Sequence, residues 1–280
     1  MTARSRDGSF EGKVAVVTGA GSGIGRALAV GLAARGARLA VSDIDAERLT
    51  ATSAMLSRTG ADVLAETLDV GDRVAVDAHA ARVAEHFGVV HQLYNNAGIA
   101  TASTFVDDTP VAEFERVFAV NLWGVIHGTQ AFLPHLITSG DGHVVNVSSL
   151  NGFMAQPRMA PYVTSKFAVR GFTEALRTEM IGRGLPVAVT VVHPGGVRTN
   201  IASSVPARSA DDRHRAAVYE QKLFRTSAEE AARQILDAVA RRRGRVLIGQ
   251  ARRVDRLVRA LPSAYPPLIA AWTKRTFGGI

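Results

Sequence analysis

Tyr162 and Lys166 stand four residues apart in a stretch whose apolar spacing predicts a helix from Tyr162 to Ile181. Positions i and i+4 share one helix face, so a phenol and an ammonium placed there can act on the same reacting group. A phenol with its ordinary pKa of about 10 is a weak base at neutral pH. A neighbouring ammonium favours phenolate, and each pKa unit so gained corresponds to about 1.4 kcal/mol. Such a pair suits removal of an alcohol's hydroxyl proton while a hydride leaves the same carbon. Taken alone, the same residues also describe a half-buried aromatic at a helix start followed by a solvated lysine. What surrounds them decides.

A departing hydride needs an acceptor, and protein side chains do not provide one. The segment Thr18-Gly19-Ala20-Gly21-Ser22-Gly23-Ile24-Gly25 suggests where a dinucleotide acceptor would lie. It follows the apolar run Val14 to Val17, which reads as a buried strand, and it precedes Ile24, Leu28, Leu32 and Ala33 at helical spacing. Glycines there permit a tight turn and close backbone approach to a pyrophosphate, and the helix N-terminus offers free N–H groups. No Gly-Lys-Ser/Thr follows, so this is not a P-loop, and Gly-x-Gly-x-x-Gly is not matched in any register. Asp43 closes the next strand, where a carboxylate can accept from ribose hydroxyls and repel a 2′-phosphate. NAD is therefore expected over NADP, with an NADP-using ketoreductase as the alternative. Asp43 is also compatible with a simple turn or strand-end cap.

The elements that must position these groups alternate along the chain. Strands are expected at Val14 to Val17, Leu39 to Val41, Val63 to Thr67, Gln92 to Tyr94, Val144 to Val147, Val187 to Val192 and Val246 to Ile248. Helical spacing lies between them: from Ala46, from Asp72 to Phe87, from Val111 to Ile137 with a break near Val120 or Pro134, and from Ala228 to Arg242. Strand–helix alternation implies parallel strands with right-handed crossovers, hence a doubly wound, Rossmann-type α/β sheet with helices on both faces. The expected organisation is one domain over 1–280, with a core of about 11–249 and a helical extension of about 250–280.

Composition narrows the classes. With 47% hydrophobic and 21% charged residues, the chain is an ordinary globular one rather than a disordered one. It has no cysteine, which removes thiol nucleophiles, disulfides and thiolate metal sites. That composition fits a reducing cytoplasm, and no secretory signal is read in Met1 to Glu11. The eight histidines show no metal-ligand spacing, and His193 before Pro194 reads as packed or backbone-bonded. The net charge of +8 sits largely in late arginines without interleaved aromatics, so no nucleic-acid partner is expected.

Together these features resemble the classical short-chain dehydrogenase/reductase family, from about Lys13 to Thr199 and more weakly to Ile248. Its Thr-Gly-x-x-x-Gly-x-Gly motif is matched by Thr18, Gly19, Gly23 and Gly25, with Ser22 and Ile24 between. The resemblance implies that Asp69 and Val70 meet the adenine and that Asn95-Asn96-Ala97-Gly98 follows the fourth strand along the cofactor. It implies a helix asparagine, Asn121, that relays protons through a water, and a catalytic serine, Ser149, that binds the substrate oxygen. Spacing favours Ser149 over Ser148, because a one-residue shift at a strand end reverses the side chain's direction. Tyr162 is then the acid/base, and Lys166 also touches the nicotinamide ribose. Pro194, Gly195, Val197 and Thr199 are implied at the carboxamide. A non-catalytic dinucleotide-binding scaffold would be marked by loss of Ser149, Tyr162 or Lys166, and none is lost.

Substrate contacts are expected from Ser149, Leu150, Phe153, Met154 and Tyr162, with Ile99 and Ala100 nearby. The resemblance implies a lid over about 200–225, which here mixes Val205, Pro206, Tyr219, Leu223 and Phe224 with Arg208, Arg213 and Arg215. Its apolar members point to a lipophilic secondary alcohol or ketone of lipid, steroid or aryl type. Beyond Ile248, Val254, Leu257, Val258 and Leu261 recur opposite Arg252, Arg253, Arg256 and Arg259. This amphipathic extension is expected foremost to pack on the protein itself, capping the pocket or meeting another subunit, with weak peripheral membrane contact as the alternative. The family further implies a homodimer or homotetramer through the helices that begin near Val111 and Tyr162.

Overall fold

In the computed structural model, residues 9–101, 103–199, 201, 213–214, 217–218 and 224–277 are described. Seven parallel strands form one sheet: β1 (Val14–Thr18), β2 (Arg38–Asp43), β3 (Val63–Thr67), β4 (Gln92–Asn95), β5 (Gly142–Val147), β6 (Val187–Gly195) and β7 (Arg245–Gly249). Their order is β3-β2-β1-β4-β5-β6-β7. The helices are α1 (Gly23–Ala33), α2 (Ala46–Ser57), α3 (Arg73–Phe87), α4 (Val111–Phe118), α5 (Gly124–Thr138), α6 (Ala160–Gly182), α7 (Ala228–Ala240), α8 (Ala251–Ala260) and α9 (Tyr265–Phe277).

The continuous apolar run of β1 is explained by burial on both faces. Ala15 and Val17 pack with Leu28, Leu32 and Ile235 under α1 and α7, whereas Val14 and Val16 pack with Phe87, Phe132 and Met180 under α3, α5 and α6. Strand order reverses between β1 and β4, and that crevice at the carboxyl ends of the strands is where an open α/β sheet binds ligands.

Of the two places expected for a break between Val111 and Ile137, the α-helix is interrupted near Val120 and not at Pro134. The chain stays helical, but Ala119–Trp123 widens to a π-helical turn between α4 and α5, with Asn121 buried inside it. Pro134 lies within α5, because Phe132 and Leu136 on its buried face hold the helix despite the missing donor. The helix expected to reach Arg242 stops at Ala240, since Arg242 has φ +51° and Arg243 N bonds back to the Ala238 oxygen at 2.9 Å.

The C-terminal extension packs on the protein. Val254, Val258, Tyr265 and Ile269 lie against Phe153, Met154 and Leu247. Buried Asp255 of α8 accepts from both terminal nitrogens of Arg245 on β7, at 2.7 and 3.2 Å, and from Arg259.

Burial pushes His143 down to about 3 and His193 down to about 4, and also lowers His79. These rings stay neutral in the fold but protonate near pH 6.5 when the chain unfolds. The unfolded state therefore binds more protons, and stability present above about pH 6.5 is lost as pH falls toward the folded values, by up to about 1.4 kcal/mol per unit for each ring. Urea midpoints should drop steadily from pH 7 to 5, and His143→Gln should make that slope shallower.

Candidate active site

The cleft at the β1/β4 switch encloses about 920 Å³. Its first wall is the glycine turn. Gly19 and Gly23 adopt φ of +66° and +51°, which side chains rarely tolerate. A Cβ at Gly25 would stand 2.0 Å from the Gly19 oxygen and 2.5 Å from Asn96 Nδ2. Gly25 therefore does not line the cleft; its bare Cα lets α1 start directly against the turn. Asn96 Nδ2 donates to the Thr18 and Gly19 oxygens at 2.9 and 3.2 Å, and Thr18 Oγ1 accepts from Asn96 N and Ala97 N. The loops after β1 and β4 are thus sewn together.

Asp43 does two things. Its Oδ2 accepts from Gly21 N at 2.8 Å and its Oδ1 from Asp45 N at 2.9 Å, so it braces the turn while lining the cleft. Asp69 lines the same end with Val70, its Oδ1 accepting from Gly71 N at 2.8 Å. Ile44 and Arg48, which the sequence reading missed, join them, and Arg48 pairs with Asp45 at 3.0 Å. Ser22, Ile24, Ala97, Gly98, Pro194, Gly195, Val197 and Thr199 also line the cleft as expected.

At the centre, the serine pair divides. Ser148 is buried and donates from Oγ to the Lys166 oxygen at 2.8 Å, in space that a Cβ at Gly152 would invade at 2.1 Å. Both serines line the cleft, but Ser149 is only half-buried, and its Oγ accepts from Asn151 N at 3.1 Å. Asn121 is buried behind the lining rather than in it. Its Oδ1 accepts from Ile99 N at 2.8 Å, and its Nδ2 donates to the Ile99 oxygen and to Ser165 Oγ.

One electrostatic expectation is corrected. Lys166 was expected to pull the Tyr162 phenol down, yet enclosure of the hydroxyl pushes it up, with the Ser149 hydrogen bond acting against that rise. The lysine is itself driven down to about 8 by burial. Its Nζ donates to the Val147 oxygen at 3.0 Å and stands 5.8 Å from the tyrosine ring centroid. Desolvation is the largest influence on both groups.

The far end is apolar. Leu150 and Met154 line it as expected, but Phe153 does not. Its ring is turned into the protein, edge-on to His193 at 5.1 Å and beneath Arg245 at 5.4 Å. The roof comes from the extension: Val254 and Leu257 of α8, with Leu268, Ile269 and Trp272 of α9. Helical periodicity marked the first of these helices as amphipathic, but no local pattern states what an apolar face will cover. Gly195 admits this roof, since a Cβ there would strike Ala251 N at 2.8 Å. Of the expected lid, Ile201 and Phe224 line the cleft, whereas Val205, Pro206, Arg208, Arg215, Tyr219 and Leu223 lie outside the described residues.

The profile of the short chain dehydrogenase family matches residues 13–210. The protein SadH of Mycobacterium tuberculosis is 49% identical over 271 residues, covering 96% of this chain and 98% of SadH. A short chain dehydrogenase/reductase of Burkholderia phymatum, crystallised in complex with NAD, matches with a TM-score of 0.81 at 34% identity, over 87% of this chain and 91% of that one. The crystal structure of levodione reductase matches with a TM-score of 0.78 at 31% identity, over 86% and 98%. Fold, ordered motifs and these likenesses agree, and the chain belongs to the short-chain dehydrogenase/reductase family of oxidoreductases.

Proposed function

We propose that this enzyme moves a hydride between NAD and a lipophilic secondary alcohol or its ketone, with Tyr162 as the proton-transferring group. The observation that carries this reading is convergence: Ser149, Tyr162 and Lys166 meet in one cleft between a glycine-rich turn and an apolar roof. The turn suits a dinucleotide, because Gly19, Ser22, Gly23 and Ile24 line the cleft at the N-terminus of α1, where free N–H groups favour an anion. Gly19, Ser22, Gly23 and Ile24 would hold the pyrophosphate, with Gly25 bringing α1 against the turn, Asp43 the adenosine ribose, Asp69 and Val70 the adenine. Asn96 to Gly98, Lys166, and Pro194 to Thr199 would hold the nicotinamide half. When bound, NAD accepts or returns the hydride, and the positive charge of its oxidised form favours phenolate.

The chain's own groups supply the rest. Ser149 holds the substrate oxygen and stabilises the charge that develops on it. Tyr162 exchanges the hydroxyl proton; burial keeps the phenol protonated but makes it a weaker acid, so a positive charge beside it is what would bring it into range. Lys166 and Asn121 sit on one side of Gly98, where a Cβ would lie 3.4 Å from Nζ and 3.2 Å from Oδ1. That adjacency supports a proton path past Asn121 rather than substrate contact by it.

NAD over NADP rests on Asp43 at the ribose end, with Arg48 already paired to Asp45. Exposed Val111, Trp123 and Phe167, on or beside α4 and α6, support a homodimer or homotetramer through those helices. A cytoplasmic location belongs to the same proposal and rests on the cysteine-free composition; among the described residues no helix is long and apolar enough to cross a membrane.

Tyr162→Phe should lower kcat by about 10²–10⁴-fold while the Kd for NAD, read by protein fluorescence, stays unchanged. In the same titration NAD should bind more tightly than NADP, and equal or tighter NADP binding would refute the role given to Asp43. An alcohol and ketone panel followed by NADH absorbance should favour bulky apolar compounds, with Trp272→Ala raising their KM roughly tenfold. Turnover confined to small polar alcohols or sugars would sink the lipophilic assignment, and no turnover at all would favour a scaffold.

A further inference from the structure

His193 near the end of β6 is fully buried, outside the cleft lining, and unused by the chemistry above. Its Nδ1 lies 2.8 Å from the backbone oxygen of Ser149. A carbonyl oxygen only accepts, so Nδ1 carries the proton and donates. The ring stays neutral because burial disfavours its charged form. Nε2 is then a buried acceptor, and no group among the described residues is placed against it. An apolar side chain of similar size would avoid that cost. Packing alone therefore does not account for a histidine here, whereas the bond to Ser149 does.

That bond acts at a sensitive place. Ser149 is extended, with φ −164° and ψ 169°, at the junction between β5 and the short turn Leu150–Gly152. Its carbonyl accepts twice: from Gly152 N at 2.9 Å within the turn, and from His193 across the sheet. Two donors from different elements fix the peptide plane that leaves Ser149. Rotation of that plane changes ψ at the serine and moves its hydroxyl relative to Tyr162. The imidazole is itself fixed from behind. Phe153 meets it edge-on at 5.1 Å, Arg245 lies 5.4 Å over Phe153, and Asp255 of α8 holds Arg245. A continuous brace thus runs from the C-terminal extension to the serine.

We propose that His193 is a positioning residue for Ser149: its Nδ1–H, braced by Phe153 and the Arg245–Asp255 pair, holds the serine carbonyl so that the hydroxyl stays on the substrate oxygen. This rests on the role given to Ser149 above. The test uses the full chain with NAD and the best alcohol of the panel. His193→Leu removes the donor and should lower kcat roughly 10- to 100-fold, the scale of a small misplacement at a reacting centre, with the Kd for NAD unchanged. His193→Asn presents an amide nitrogen near the position of Nδ1 and should recover most of kcat, whereas His193→Gln, whose amide reaches toward Nε2, should not. In a Ser149→Ala background, His193→Leu should cost little more, because two groups acting through one interaction do not lose activity additively. Wild-type kcat in His193→Leu, or losses that multiply in the double variant, would overturn the proposal. If His193→Leu does not fold, equal kcat in the Asn and Gln variants overturns it instead. Full kcat in Ser149→Ala would show that the serine is misread, and the role of His193 falls with it. An inactive Ser149→Ala beside an active His193→Leu removes the His193 inference alone.

Discussion

The cleft depends on one close approach: the Cα of Gly25 against the carbonyl of Gly19 and the amide of Asn96, where a methyl group would lie 2.0 and 2.5 Å from them. Because nothing intervenes, α1 begins on the turn itself and aims its free N–H groups at the crevice. The same closeness lets Asn96 and Thr18 tie the loops after β1 and β4 into one edge. Those strands flank the point where strand order reverses, so the tie sets the width of the cleft. Asp43, accepting from Gly21 N, completes it from the other side. A cleft-lining carboxylate and a turn-bracing carboxylate are here one residue.

Burial governs the central residues more than pairing does. Tyr162 is raised and Lys166 lowered, each by loss of water around its charged form. The π-helical turn around Asn121 belongs to the same economy of space. It directs that side chain into both backbone groups of Ile99 and toward Ser165, fixing the loop after β4 from behind.

The C-terminal extension joins the site from outside the family core. Its apolar face roofs the cleft, and its one acidic residue, Asp255, ties it to β7 through Arg245. Ion pairs of this partly buried kind depend on geometry, and the two-pronged contact of arginine and carboxylate provides it. Phe153 shows the consequence: the ring belongs to the brace between extension and sheet, not to the pocket.

The sequence by itself determined the order and kind of nearly every element. Parallel strands buried on both faces write themselves as short apolar runs, and the motifs at their ends fall at separations that the fold requires. Four matters lay beyond the sequence: the π-helical form of the turn at Asn121, the helix kept through Pro134, the inward turn of Phe153, and the raised phenol of Tyr162. Each depends on which distant groups come into contact or exclude water. Tyr162 and Lys166 could be read as neighbours from their spacing, but whether attraction or desolvation prevails between them is decided only by the walls that close around both.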